Sequence, residues 1–173
     1  MRLFIAVPLQ KDVQRSVYAY QSKIEQVSSQ GRFVPLGNHH ITLRFLGQSD
    51  ALYDITSAMH EAVKDARPFL LHLGEYGYFT HGGARTSYLT VTGELEEMYR
   101  IHTILETELW ERGFDKGKGR LKPHITLARG VEHGDIGDIQ IPNDGFRIGS
   151  IVLCESQNQR GRQIYTPIHT ESF

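Results

Sequence analysis

Residues 39–47 read HHITLRFLG, and residues 122–129 read KPHITLAR. The tetrapeptide His-Ile-Thr-Leu stands at 40–43 and again at 124–127, an offset of 84 in a chain of 173 residues. Recurrence of a histidine-bearing tetrapeptide at about half the chain length points to an internal duplication. Strand side chains alternate between faces. Strict alternation puts His40, Thr42 and Arg44 on one face and Ile41, Leu43 and Phe45 on the other. In the second copy His124 and Thr126 oppose Ile125 and Leu127. The aliphatic residues build a core, and the polar ones line something.

Working outward, LFIAVPL (3–9) suits a buried strand. Residues 10–28 carry Val13, Val17, Tyr20, Ile24 and Val27 at helical spacing. RFVP and HHITLRFLG read as two strands joined around Gly37-Asn38. Helical spacing returns over 49–65, with Ser49 or Asp50 as cap, and over 94–112, with Gly113 as stop. FLLHLGEYGYF (69–79) and TSYLTVTG (86–93) read as a strand pair around His81-Gly82-Gly83. After HITLAR come a polar loop (132–144), one strand GFRIGSIVLCES, and QIYTPIH. Strands joined by short connections, mixed with helices, indicate an α+β fold with antiparallel pairing. The expectation is one domain over 1–173, built of two intimate lobes. Two mainly antiparallel sheets face a central groove, with the helices outside.

Composition excludes several classes. Net charge is −1, so no global charge draws the chain onto nucleic acid, and any anion is held by a local patch. No apolar run approaches the roughly 20 residues of a membrane span, and the start lacks a signal-peptide pattern. Cys154 is the single cysteine, which leaves no disulfide framework and no cysteine metal cluster. A soluble, cytoplasmic monomer without membrane contact is expected.

If a pseudo-twofold relates the halves, two imidazoles and two hydroxyls meet across the groove. One imidazole can act as base and the other as acid near neutrality. Threonine hydroxyls and arginine suit an anion rich in oxygens. This is equipment for in-line attack at phosphorus. No carboxylate or cysteine stands at ligand spacing, so neither metal nor cofactor is expected.

Two HxT motifs half a chain apart resemble the two-histidine phosphoesterase superfamily. MRLFIAVPL, NHHITLRFLG, KPHITLAR and LCES followed by Gly161 and Tyr165 resemble the RNA 2′,3′-cyclic phosphodiesterases formerly called 2′-5′ RNA ligases. The resemblance implies a bilobal α+β fold and hydrolysis of a 2′,3′-cyclic phosphate at an RNA 3′ end to a 2′-phosphate. It implies His40 and His124 as the catalytic pair. Since a 2′-phosphate product requires O3′ to leave, His40 is assigned as the proton donor to it and His124 as the proton acceptor that activates water. It implies Thr42, Thr126 and Arg129 on the phosphate and Phe45 against the terminal base. Alternation sets Phe45 and Arg129 opposite the histidines, so each requires a strand end, twist or bulge.

Other residues weigh less. His39 reads as a loop residue. Arg32 and Arg44 are candidate RNA contacts, Arg44 the better because it shares the face of His40. Lys116, Lys118, Arg120 and Lys122 form a basic run that is either a solvated loop or an RNA contact. Tyr76, Tyr78 and Phe79 read as core or cross-strand pairs before base-stacking groups. Two other functions fit the same motifs: ligation or hydrolysis of 2′-5′ or other nucleotide substrates, and nucleotide or RNA binding without turnover.

Overall fold

The structure is a computed structural model that describes residues 1–143 and 145–173. Chain order is β1 (Arg2–Pro8), α1 (Lys11–Gln26), β2 (Ser28–Phe33), β3 (His40–Gln48), α2 (Leu52–Val63), β4 (Phe69–His81) and β5 (Ala84–Gly93). There follow α3 (Leu95–Glu111), β6 (His124–His133), β7 (Gly145–Ile148), β8 (Ser150–Gln159) and β9 (Arg162–Ser172). The helices bury the stripes their spacing marks: Val13, Val17, Tyr20 and Ile24 on α1, and Met98, Ile101, Leu105 and Leu109 on α3. Each such side chain contributes about 1.5–3 kcal/mol by leaving water. Gly113, at a φ of 89°, ends the last turn after α3, a conformation open to glycine at little cost.

The strands run β7-β4-β5-β6-β3-β1-β8-β9, and β2 pairs with β6 off this path. Every pairing is antiparallel. The order explains the duplication. Moving β1, α1 and β3 by 84 residues lands them on β5, α3 and β6. The path places four strands on each side of the β6–β3 seam, and by this offset β1 and β3 in one half answer β5 and β6 in the other. The α+β architecture is as the sequence indicates, but the two expected sheets are fused. Their seam ladder is one pair, Ile41 with Ile125. Both residues are fully buried.

Two local readings change. GFRIGSIVLCES is not one strand. It breaks at Gly149, so that β7 pairs with β4 in one half and β8 pairs with β1 in the other. The strand before the first motif begins at Ser28 and belongs to the opposite half, pairing with β6. The main core lies between the sheet and the helices, with Ile5, Ile41, Leu71, Leu89, Ile125 and Leu153 among its sheet residues. On the other face a small cluster of Phe4, Ala6, Val152 and Cys154 supports Tyr165. No helix among the described residues is long and apolar enough to cross a membrane.

Candidate active site

His40 and His124 open the two central strands β3 and β6. His40 packs against Phe4 and Tyr165, with ring centroids 5.0 and 5.3 Å away. His124 packs against Tyr88 and Phe79, at 5.4 and 5.3 Å. Phe4 and Tyr88 are themselves related by the offset of 84. Tyr88 stands opposite Gly77 on β4, where an added Cβ would lie 2.7 Å from the tyrosine oxygen. The bare glycine lets the Tyr88 ring lie across β4 and stack on Phe79 at 4.4 Å.

Both imidazoles are oriented by the same bond. His40 Nδ1 is 2.7 Å from the carbonyl of Asn38, and His124 Nδ1 is 2.5 Å from the carbonyl of Lys122. A carbonyl only accepts, so each Nδ1 carries the hydrogen and each Nε2 is free for chemistry. At His40 the Thr42 hydroxyl lies 2.9 Å from Nε2, to which it donates when the ring is neutral. Asn38 is itself anchored, its side-chain amide donating to the Gln163 carbonyl at 2.8 Å. Burial holds the His40 pKa below its ordinary value. The bond to the Asn38 carbonyl opposes that shift, and the charges of Arg129 and His124 add to it. Burial also raises the Tyr165 phenol, against the pull of Arg129 and Arg2.

Bulges decide the remaining faces. Ala6 stands opposite Thr42 and Ile5 opposite Arg44, so Leu43 is an extra residue on β3. Tyr88 stands opposite Thr126 and Ser87 opposite Ala128, so Leu127 is the matching extra residue on β6. Beyond each bulge the alternation inverts. Phe45 therefore returns to the face of His40, 6.2 Å from the Phe4 ring and 68% exposed. Arg129 returns likewise, opposite Thr86. Thr86 shares the face of Tyr88 two residues on.

The same bulge overturns the placement of Arg44. It stands with Ile5 on the helix side, away from His40. There it forms an ion pair with Glu106 of α3 at 2.5 Å and donates to the Asp115 carbonyl. His39 lies in the connection before β3 but is buried, with Nε2 2.6 Å from Gln21 Oε1. Lys116 covers the Trp110 ring, and Arg120 and Lys122 line a hollow beside α3 with Tyr99 and His102. Tyr78 faces away from the histidines beneath Arg85, and Tyr76 bonds His133.

One face thus gathers His40, Thr42, Phe45, His124, Thr126 and Arg129. Sequence reasoning passed over Phe4 and Tyr88 as walls, read Phe79 first as a core or cross-strand residue, and missed the Asn38 and Lys122 carbonyls as orienting groups. The signal for two of the walls was present: the offset that aligns the histidines also aligns Phe4 with Tyr88. Chemically the face offers two imidazole Nε2 atoms, two hydroxyls and a guanidinium.

Comparisons with known proteins place the chain and its fold in a family. The family model described as the 2'-5' RNA ligase superfamily matches residues 15–140. A protein of Thermotoga maritima named RNA 2',3'-cyclic phosphodiesterase is 24% identical over 165 residues, 88% of each chain. One of the same name from Escherichia coli K12 is 25% identical over 171 residues, covering 96% of this chain and 93% of its own. Among solved structures, E. coli LigT complexed with 3'-AMP superposes with a TM-score of 0.80 at 24% identity, over 99% of this chain and 97% of that one. TT0787 of Thermus thermophilus gives the same TM-score at 26% identity, with the same coverage.

Proposed function

The chain belongs to the 2'-5' RNA ligase superfamily, and on that premise we propose that it hydrolyses a 2′,3′-cyclic phosphate at an RNA 3′ end to a 2′-phosphate. The relatives' names supply the substrate class. The observation that carries the reading is the paired orientation of the histidines. Each fixes its Nδ1 on the carbonyl two residues earlier, which leaves Nε2 as the ring nitrogen available to a substrate.

In the proposed step a water oxygen attacks phosphorus from the side opposite O3′. His124 takes the proton of that water at Nε2. The P–O3′ bond breaks, and the Nε2–H of His40 delivers its proton to O3′. The product carries a 2′-phosphate and a free 3′-hydroxyl. Thr42, Thr126 and Arg129 hold the non-bridging oxygens, where a guanidinium bonds two at once. Burial keeps His40 neutral more readily than an exposed histidine. As the acid it must gain its proton with the substrate, whose phosphate anion favours the imidazolium. All charge handling falls to side chains, so the reaction needs no metal.

The test uses purified, EDTA-treated protein and an oligonucleotide ending in a 2′,3′-cyclic phosphate. Turnover to the 2′-phosphate isomer is expected. Formation of the 3′-phosphate, or activity that returns only with a divalent ion, would overturn this mechanism.

A further inference from the structure

Arg32 stands directly opposite Arg129 in the β2–β6 ladder. Opposed residues of an antiparallel pair share a face. The adjacent pair, Phe33 with Ala128, faces the core: Phe33 packs on the main cluster and Ala128 is fully buried. Alternation therefore sets Arg32 on the groove face beside Arg129. Both are exposed. Among the described residues neither guanidinium has a carboxylate within ion-pair distance.

Two like charges in neighbouring lanes, about 4.8 Å apart, repel each other across the ladder. An anion lying over both relieves that repulsion. Phosphate fits best, because each planar guanidinium can bond two of its oxygens. Arg129 is close enough to His40 for its charge to act on that imidazole. Arg32 lies across from Arg129 on the edge of β6 that β3, the strand of His40, takes further along.

We propose that Arg32 forms a second phosphate subsite, which takes the last internucleotide phosphate while the cyclic phosphate lies between the histidines. The preferred substrate is then an oligonucleotide with at least one internal phosphate, rather than a nucleoside 2′,3′-cyclic phosphate alone. This rests on the cyclic phosphodiesterase reading for its chemistry, but binding tests it separately.

Arg32→Ala and Arg32→Lys are compared with the parent protein on three substrates: a nucleoside 2′,3′-cyclic phosphate, a dinucleotide ending in one, and the same dinucleotide with a neutral methylphosphonate linkage. For Arg32→Ala the loss of kcat/KM on the charged dinucleotide should exceed the loss on the mononucleotide by roughly ten- to a hundredfold, the range for a charged hydrogen bond. Arg32→Lys should recover part of it, and the methylphosphonate should erase the difference. Equal losses on all three substrates, or none on the charged dinucleotide, would overturn the subsite. Binding of the same dinucleotides is followed by fluorescence anisotropy. Binding that depends on Arg32 without any turnover in the parent would keep the subsite and reject the hydrolase. Binding of the charged dinucleotide that is indifferent to Arg32 would reject the subsite whatever the turnover.

Discussion

Phe45 and Arg129 occupy the same place in the two halves of the molecule. Each lies five residues past its histidine, and each is returned to the histidine's face by one extra residue, Leu43 or Leu127. The duplication thus kept its backbone device and diversified what the device presents. One half offers an aromatic surface and the other a cation. Arg129→Ala should lower kcat/KM by about 1.5–3 kcal/mol of transition-state stabilisation, the range for a charged hydrogen bond. Arg129→Lys should recover only part, since the planar fork is lost. Steady-state kinetics that match the parent protein's would remove Arg129 from the phosphate site.

Arg44 carries the opposite expectation. Its guanidinium joins a strand of one half to α3 of the other through Glu106, whose carboxylate also accepts the Gly117 amide at 2.9 Å. Arg44→Ala should cost about 1.5–3 kcal/mol of stability in urea unfolding, with kcat/KM on a cyclic phosphate changed by less than about fivefold. A large loss of turnover in a fully folded Arg44→Ala protein would return it to the groove.

The proton assignment is tested by leaving group and by pH. Removal of either histidine should cost at least about a hundredfold. An aryl phosphodiester needs little acid, so His40→Ala should recover much of its rate on that substrate and His124→Ala should not. Recovery confined to His124→Ala reverses the roles. Burial lowers the His40 pKa in the free protein, and an acid is lost as pH rises through its pKa. The alkaline limb of kcat/KM, which reports the free protein, should therefore lie at lower pH than the alkaline limb of kcat, which reports the complex. Coincident limbs would show that substrate does not raise His40.

His39 makes a prediction about folding. The Gln21 amide donates to the Val34 carbonyl at 2.7 Å, so its oxygen faces His39 and accepts from Nε2–H. Burial pushes His39 down to about 4. The folded protein resists a proton that the unfolded chain accepts at about 6.5. This contribution is complete above about pH 6.5 and is lost as pH falls from there towards 4, roughly 3 kcal/mol in all. Unfolding free energies between about pH 7 and 4 should show the decline, and His39→Gln should flatten it. A parent and a His39→Gln protein with parallel pH profiles would reject this role.

The sequence revealed much of this through one repeated tetrapeptide. His40 and His124, their hydroxyl neighbours, and the helices behind them follow from an offset and two periodicities. Arg44 was misplaced because strict alternation cannot register a bulge. A bulge is a mismatch between two strands, and only one of them was being read. The break at Gly149 was hidden for a similar reason. GFRI and SIVLCES are equally apolar, and nothing within them states that one pairs with β4 and the other with β1. The fused sheet also lay beyond local reading, since the ladder at its seam is the single pair of Ile41 with Ile125.

The sheet order has a consequence for synthesis on the ribosome. β1 and β3 emerge early, but their outer neighbours are β8 and β9, which span residues 150–172. A nascent chain halted at residue 149 can complete the histidine strand of the later half, with β4, β5, β6 and β7 in hand. The earlier half still lacks two of its four strands, and His40 lacks the Tyr165 ring beside it. The histidine that is translated first is the last to be enclosed, so the two motifs become a matched pair only when the final hairpin docks.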